Sequence, residues 1–253
     1  MNYRKNTILL FCLFAVLSVT AQKAQVIAHR GYWDTKATSQ NSLKSLEKAH
    51  EIKVYGSEFD VHMTADGVLV VYHDDKIDGR RVQELNYADL TKVRLLNGEK
   101  IPTLEAYLKK AKKLDGLKLI FELKSHTTPD KNREAARKSV EMVEKMGLGN
   151  RTEYITFNLD AGKELIRVSP HTPVYYLNGE LAPAKLKELG FAGLDYNVSV
   201  MQKNPGWFKE AKDLGLKVNV WTANDPAVIQ ELVKHGADFI TTDAPVEALQ
   251  LVK

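Results

Sequence analysis

Short apolar segments alternate with longer amphipathic ones along almost the whole chain, and this alternation constrains the fold more than any other sequence feature. The predicted strands are Val26–Ala28, Gly56–Val61, Val68–Tyr72, Leu117–Leu123, Tyr154–Phe157, Pro173–Leu177, Gly193–Tyr196, Lys217–Trp221 and Phe239–Thr241. The predicted helices lie at about Ser42–Ile52, Thr103–Leu114, Asn132–Met146, Ala161–Val168, Ala182–Leu189, Pro205–Leu214 and Pro226–His235. Such alternation is typical of a parallel sheet covered by helices.

Nine strands are one more than an eightfold barrel needs, and a tight turn accounts for the extra strand. Gly56–Met63 and Val68–His73 are separated by four residues that include Asp66-Gly67, a strong hairpin signal. A connection this short cannot form a parallel crossover. The other eight strands fit a chain of 253 residues as a single (β/α)8 TIM barrel. The sequence therefore predicts an α/β barrel with a β-hairpin extension after strand two and a small insertion, Asp75–Pro102, over the C-terminal mouth.

Residues 1–21 have the pattern of a secretory signal peptide. Two basic residues precede the uncharged run Ile8–Val19, and cleavage is expected after Ala21. The alternative is a permanent anchor helix, although the apolar run is shorter than the ~20 residues that span a bilayer. The only cysteine, Cys12, lies within this run. We therefore expect an exported protein, periplasmic or secreted, whose residues 22–253 form one barrel domain without stable membrane insertion after cleavage.

The charge balance excludes one class of partner. The chain has 36 basic and 32 acidic residues, a formal net charge of +4. Loss of Arg4 and Lys5 with the signal peptide leaves 34 basic residues against 32 acidic ones, or +2. This small excess is not the charge signature of a protein that binds nucleic acid.

Three carboxylates are predicted to converge at the C-terminal mouth, where barrel enzymes carry their chemistry. Glu58 and Asp60 share one face of strand two, while the apolar residues between and after them occupy the other face. Because the apolar face must meet the helices, the carboxylates point into the barrel. The same alternation turns Glu122 and Lys124 inward on the neighbouring strand.

Such a cluster requires neutralisation, because desolvation and mutual repulsion both oppose its ionisation. Oxygen ligands of this kind suit one hard divalent cation, Ca²⁺ or Mg²⁺. The alternative is a structural ion network in which Lys124 and Arg30 alone balance Glu58, Asp60 and Glu122.

Two histidines are predicted to flank the cluster. If Met63 pairs with Val68 across the hairpin, His73 lies opposite the neighbourhood of Glu58, and His29 approaches from the end of strand one. One imidazole can take a proton from a nucleophile while the other gives one to a leaving alkoxide. Arg30 and Lys124 could then bind an anionic phosphoryl group. His62, by contrast, is expected at the surface, where the hairpin leaves the barrel.

The chain resembles glycerophosphodiester phosphodiesterases, members of the barrel superfamily that includes phosphatidylinositol-specific phospholipase C. The resemblance runs from Val26 to about Pro245. Its motifs are Ala28-His29-Arg30-Gly31, Glu58-Phe59-Asp60-Val61 with Thr64 and Asp66-Gly67, Val71-Tyr72-His73-Asp74, Ile101-Pro102-Thr103-Leu104, Glu122-Leu123-Lys124, Trp221-Thr222-Ala223-Asn224 and Thr242-Asp243-Ala244-Pro245. Each motif is weak alone, but their order and spacing together are specific.

The resemblance implies roles for the same residues. The resemblance implies that His29 and His73 act as the acid/base pair. It implies that Glu58, Asp60 and Glu122 bind the divalent ion. Arg30 and Lys124 would contact the phosphate. Trp221 ends strand seven and is expected to line the substrate pocket, the alternative being that it fills the core. One departure is Gln40, which stands where the family usually has Glu, so a contribution of that carboxylate to the metal or to Arg30 is weakened.

The function predicted from the sequence is metal-dependent hydrolysis of a small-molecule glycerophosphodiester to sn-glycerol 3-phosphate and an alcohol. A hydroxyl of the glycerol attacks first, through a cyclic phosphate, or water attacks directly; the sequence leaves both routes open. Two alternatives to this function remain open. One is a phospholipase-type member of the superfamily that acts on intact lipid. The other is a catalytically silent barrel that only binds its ligand.

Overall fold

The structure, a computed structural model, describes residues 23–252. The predicted signal peptide and Cys12 lie outside these residues. The strands are β1 (Gln25–Ala28), β2 (Gly56–Met63), β3 (Leu69–Val71), β4 (Lys76–Ile77), β5 (Arg80–Arg81), β6 (Lys118–Leu123), β7 (Thr152–Thr156), β8 (Val174–Tyr176), β9 (Gly193–Asn197), β10 (Lys217–Trp221) and β11 (Phe239–Thr242).

The helices are α1 (Leu43–Glu51), α2 (Tyr87–Leu90), α3 (Leu104–Ala111), α4 (Pro129–Lys145), α5 (Leu159–Val168), α6 (Pro183–Glu188), α7 (Val198–Lys203), α8 (Gly206–Asp213), α9 (Pro226–His235) and α10 (Pro245–Leu251). All seven predicted helices are present. Helix α4 begins three residues before the predicted Asn132, because Thr128 caps it and Pro129 fits its first turn. Among the described residues, no helix combines the length and the apolar character needed to cross a membrane.

Eight parallel strands close into the predicted (β/α)8 barrel. The sheet runs β1-β11-β10-β9-β8-β7-β6-β2, and β1 also pairs with β2. Closure is made by Gln25–Ala28 of β1, which pair with Phe239–Thr242 of β11, while Ala28 also pairs with Ser57. The fold class expected from the sequence is therefore confirmed.

Strand β2 extends beyond β1, and this difference in length makes room for the hairpin. Residues 61–63 of β2 pair antiparallel with β3, on the edge that β1 occupies lower down. The predicted pairing of Met63 with Val68 is wrong by one residue, because Met63 pairs with Leu69. The turn is one residue longer than predicted: Thr64 N donates to Val68 O, and Val68 N donates to Thr64 Oγ1.

Aromatic packing fixes which faces of β2 and β6 point outward. Phe59 and Phe121 are fully buried between the sheet and the helices, with ring centroids 5.1 Å apart. Phe59 also lies 4.5 Å from Tyr107 of α3, and Phe121 lies 5.3 Å from Tyr154 of β7. Because alternate residues occupy opposite faces, this packing turns Glu58, Asp60 and Glu122 into the barrel.

The insertion between β3 and α3 forms a small apolar cluster of its own, which includes Val70 of β3 together with Ile77, Val82, Leu85, Leu90, Leu95 and Ile101. The cluster anchors the insertion to the hairpin. Its segment Val93–Leu96 then lines a groove of about 750 Å³ with Trp33 and Tyr72–Asp74 at the mouth of the barrel.

Strand β9 begins at Gly193, a position where the barrel has no room for a side chain. A Cβ at this position would lie 2.0 Å from the backbone oxygen of Lys217 on β10. Gly193→Ala is therefore expected to destabilise the fold by about 1–3 kcal/mol or more. Urea unfolding will measure the loss. Gly206→Ala is the matched control, since nothing lies within 4 Å of its Cβ; equal midpoints for the two variants would contradict the prediction.

Candidate active site

The three predicted carboxylates meet at the C-terminal mouth of the barrel. Glu58, Asp60 and Glu122 each offer an oxygen atom within 4.8 Å of those of the other two. Asp60 and Glu122 are register partners on β2 and β6, and Glu58 lies one inward position earlier on β2. All three are buried, with Asp60 only 1% exposed. The alternation of these two strands therefore assembles the cluster.

Burial and mutual repulsion govern the protonation of this cluster. Burial, reinforced by the charges of Asp60 and Glu122, raises the pKa of Glu58 well above its usual range. Burial and Asp60 raise the pKa of Glu122 to about 7. For Asp60 burial acts in the same direction, but Lys124, His73 and other polar neighbours outweigh it and lower the pKa. The chain alone therefore stabilises one full negative charge better than three.

Lys124 and Arg30 balance only part of the cluster. Lys124 Nζ lies 3.2 Å from Asp60 Oδ1 and 2.9 Å from Glu122 Oε1. Arg30 Nε lies 3.8 Å from Asp60 Oδ2. Glu58 accepts a hydrogen bond from the backbone N–H of Arg30 at 2.7 Å through Oε2, but its Oε1 has no hydrogen-bond partner among residues 23–252. A buried carboxylate oxygen without a partner, in a set of three carboxylates, fits a divalent cation bound by oxygen.

Asn41 holds Asp60 in place from the loop before α1. Asn41 Nδ2 donates to Asp60 Oδ2 at 2.8 Å, and the Asp60 N–H donates to Asn41 Oδ1 at 3.0 Å. The neighbouring Gln40 accepts a hydrogen bond from Arg30 Nη1 at 2.7 Å. The residue that departs from the family pattern therefore touches the guanidinium. The role of Asn41 was not predicted from the sequence, although Asn41 lies beside Gln40 in the segment that departs from the family pattern.

The turn after β1 brings His29 and Arg30 to the mouth. His29 N–H continues the sheet by donating to Thr242 O at 3.0 Å. The chain then turns through Arg30 and Gly31, both with positive φ values of 57° and 79°. Gly31 also packs against α1, where a Cβ would lie 2.5 Å from Ser45 Oγ. Glycine is required here by both the dihedral angle and the close approach.

His29 is oriented by Asp243, a residue of the family motif Thr242-Asp243-Ala244-Pro245 to which the sequence assigned no role of its own. His29 Nδ1 lies 2.8 Å from Asp243 Oδ1. Trp33 Nε1 also donates to Asp243 Oδ1 at 3.3 Å, and Asn224 Nδ2 donates to Oδ2 at 2.8 Å. Burial opposes ionisation of Asp243, but these hydrogen bonds from His29 and Asn224 outweigh it and lower its pKa. Nδ1 of His29 therefore carries the proton that it donates to Asp243, which leaves Nε2 for a ligand.

His73 reaches the opposite side of the cluster despite the shifted hairpin register. Tyr72 N–H donates to Asp60 O, which places the next residue at the mouth. His73 Nδ1 lies 2.8 Å from Asp74 Oδ1, and Nε2 lies 2.7 Å from Arg30 Nη2. Because a guanidinium only donates, Nε2 is the acceptor. Burial, with Lys124 and Arg30 adding to it and Asp60 opposing it, lowers the pKa of His73.

His62 is not at the surface, and that expectation is wrong. It is fully buried on the inner face of β2, two residues after Asp60, with its Nε2 3.4 Å from the carbonyl of His73. Burial lowers its pKa to about 4. The hairpin covers this face of β2 instead of leaving it exposed. A position at the start of the hairpin is therefore buried, contrary to the prediction. His126 is also buried there and accepts a hydrogen bond from the Met63 N–H.

One cavity of about 160 Å³ is lined by all of the predicted site residues except Asp60, namely His29, Arg30, Glu58, His73, Glu122, Lys124 and Trp221. Trp221 packs edge-on against Phe157 at 5.6 Å, and its indole N–H donates to Asp195 O at 2.9 Å. The larger groove beside the insertion also contains His73 in its lining. His73 thus lines both the small cavity and the wider groove.

A (β/α)8 barrel with buried carboxylates, two histidines and two cationic side chains at one mouth can supply the acid/base groups and the charge compensation that hydrolysis of a phosphodiester needs. Residues 29–247 match the sequence profile described as "Glycerophosphoryl diester phosphodiesterase family". The chain therefore belongs to this family of phosphoric diester hydrolases.

Solved structures and curated relatives agree with this assignment. A glycerophosphodiester phosphodiesterase from Parabacteroides distasonis is 57% identical, with a TM-score of 0.90 over 91% of this chain and 97% of that one. A phosphodiesterase from Oleispira antarctica, in complex with the product sn-glycerol-3-phosphate, is 25% identical, with a TM-score of 0.78 over 91% and 97%. The glycerophosphodiester phosphodiesterase of Caldanaerobacter subterraneus is 27% identical over 91% of this chain and 98% of its own length.

The geometry of the acidic cluster predicts stabilisation of the protein by a divalent ion. Ca²⁺ or Mg²⁺ is expected to raise the melting temperature, because an ion that binds only the folded chain shifts unfolding by mass action. For Glu58→Gln, the ion concentration needed for the same rise in melting temperature should be at least ten times higher. Glu153→Gln, a buried carboxyl on β7 outside the cavity lining, is the control. Equal ion titrations of wild type and Glu58→Gln, followed by scanning calorimetry, would exclude the site.

Proposed function

We propose that the protein hydrolyses glycerophosphodiesters to sn-glycerol 3-phosphate and an alcohol, with one Ca²⁺ or Mg²⁺ ion and a pair of catalytic histidines. The observation that carries this proposal is that two histidines, two cationic side chains and two carboxylates of the acidic cluster line one cavity, with Asp60 completing the cluster beside it. The product named in the Oleispira antarctica structure supports the choice of substrate.

Arg30 and Lys124 bind the phosphoryl oxygens in this proposal. Both line the cavity, and both are held by carboxylates or amides that keep their nitrogen atoms directed into it. The pKa of Lys124 is raised because Asp60 and Glu122 outweigh the effect of burial, so Lys124 stays cationic at neutral pH. A divalent ion held by Glu58, Asp60 and Glu122 would add charge compensation for the phosphoryl group.

The two histidines exchange protons with the attacking and leaving oxygens. Asp243 keeps the proton of His29 on Nδ1 and stabilises the imidazolium that forms when Nε2 gains a second proton. His73 offers Nε2 once its hydrogen bond with Arg30 is exchanged for a substrate oxygen. Two histidines with separate carboxylate partners allow one to start as base and the other as acid. A glycerol hydroxyl or water is the nucleophile, and the geometry serves either route.

Small, soluble diesters are favoured over intact lipid by the surface around the mouth. Within residues 23–252, the large hydrophobic side chains classed as exposed are Leu96, which is fully exposed in the insertion, and Val246 at 41%. Single exposed side chains of this kind are common on soluble domains and do not form an apolar rim. We further propose that the enzyme acts after export, as the predicted signal peptide implies.

A product assay tests the proposed function. Purified protein with Ca²⁺ or Mg²⁺ is expected to release sn-glycerol 3-phosphate from glycerophosphocholine, and EDTA is expected to abolish the release. Phosphatidylcholine vesicles should give no comparable product. Activity that EDTA leaves unchanged would remove the metal from the mechanism. Ligand binding without turnover at any concentration of either ion would instead identify a silent binding protein.

His29→Ala and His73→Ala are expected to fold normally and to lose about 10²- to 10⁴-fold in kcat, the usual contribution of general acid/base catalysis. Steady-state kinetics with glycerophosphocholine measures the loss, and circular dichroism verifies the fold. His50→Ala is the control, since His50 lies on α1 with its Nε2 3.1 Å from the carbonyl of Asp115, away from the cavity. Near-wild-type rates for both cavity variants would refute their catalytic roles.

A further inference from the structure

Asp195 is a buried carboxyl group of the cavity that the acidic cluster and the histidines do not account for. It lies on β9, is 1% exposed, and lines the cavity that contains His29 and Glu122. Its Oδ1 has no hydrogen-bond partner in the described part of the chain. An unpaired buried oxygen of this kind is costly and rare, so its position in a ligand cavity calls for a donor or acceptor from outside the protein.

Neighbouring strands fix the position of Asp195 in the barrel. Asn219 is its register partner on β10, and the Asn219 side chain opposes the effect of burial on the pKa of Asp195. Asn219 is fixed in turn by Thr241 Oγ1 of β11 at 2.9 Å. The backbone of Asp195 is also fixed, because Trp221 Nε1 donates to its carbonyl at 2.9 Å. The backbone of Asp195 is therefore fixed, while Oδ1 of its side chain is left without a partner at the cavity.

The surroundings of Asp195 define the chemistry of that ligand. The cavity also has an apolar part, formed by Ile155, Phe157, Leu177 and Trp221, besides the polar residues Thr222 and Thr241. Asp195 also lies one inward position before Asn197, where β9 ends, so it is deeper in the barrel than the strand end. Arg30 and Lys124 follow the ends of their strands and hold the phosphate at the mouth. A ligand that reaches Asp195 therefore has a short carbon skeleton and a hydroxyl group at the end away from its phosphate.

We propose that Asp195 binds the terminal hydroxyl of the glyceryl group, the one farther from phosphorus, and makes the enzyme specific for glycerol-containing diesters. This assignment rests on the proposed function and adds a specificity-determining residue to it. Burial raises the pKa of Asp195 to about 8, which lets the carboxyl keep its proton near neutral pH and both donate to and accept from a hydroxyl.

A pair of substrates isolates this contact. Glycerophosphocholine is compared with its analogue that lacks only the terminal hydroxyl, the phosphocholine ester of propane-1,2-diol, and choline release gives kcat/KM for each. The wild-type enzyme is expected to prefer the glyceryl substrate by about 10- to 100-fold, the effect of leaving one buried polar group unpaired. Asp195→Leu should bring this ratio close to one by slowing only the glyceryl substrate. Asp195→Asn, which keeps an acceptor and a donor, should retain part of the preference.

Glu153→Gln is the matched control, because it neutralises another buried barrel carboxyl outside the cavity lining. It is expected to keep the wild-type ratio. Equal losses on both substrates in Asp195→Leu would show a purely structural role and overturn the assignment. If Asp195→Leu does not fold, calorimetric binding of sn-glycerol 3-phosphate and of propane-1,2-diol 1-phosphate to the wild-type protein decides, and equal affinities overturn it.

The kinetic outcomes also separate this assignment from the proposed function. A wild-type enzyme that hydrolyses both substrates equally overturns the role of Asp195 alone. A wild-type enzyme that hydrolyses neither, with Ca²⁺ and Mg²⁺ supplied, overturns both.

Discussion

The site depends on one constraint, the outward packing of two phenylalanines beside inward carboxylates. Phe59 and Phe121 are neighbours in register on β2 and β6, and both are completely buried beneath the helices. Their burial stabilises each strand in the single orientation that brings Glu58, Asp60 and Glu122 together. Hydrophobic burial therefore stabilises a concentration of negative charge that would otherwise be unfavourable. The other polar groups of the mouth can be understood as responses to that charge.

Those responses come from every side of the cluster. Lys124 emerges from β6 and contacts Asp60 and Glu122, and Asn41 also binds Asp60 through paired amide and backbone hydrogen bonds. Arg30 joins three groups at once, since its backbone binds Glu58 and its guanidinium binds Gln40 and His73. These residues lie in different segments of the chain. The closed barrel brings those segments together at one mouth. Removing any one of them leaves a buried polar partner unsatisfied.

The barrel, the hairpin and the converging acidic residues were predictable because each depends on local periodicity. Inward and outward faces follow from alternation within a single strand, and Asp66-Gly67 marks the turn. Asp243 and Asn41 were not identified, because their roles come from contacts 214 and 19 residues away in sequence. The hairpin register was missed by one residue because the Thr64 side chain lengthens the turn. His62 was predicted at the surface but is buried, because the returning strand of the hairpin covers it. No local sequence pattern reveals this contact.

Gln40 shows how a departure from the family pattern acts through a neighbour. The sequence suggested that the loss of a carboxylate here weakens a contribution to the metal or to Arg30, and in the structure Gln40 accepts a hydrogen bond from Arg30 Nη1. A glutamate at this position would pair its charge with the guanidinium and add another anion to a mouth that already holds three carboxylates. The neutral amide keeps the orientation of Arg30 without neutralising it. Gln40 therefore does not offset the positive charge of the guanidinium, and we propose that this favours the binding of a phosphate at Arg30.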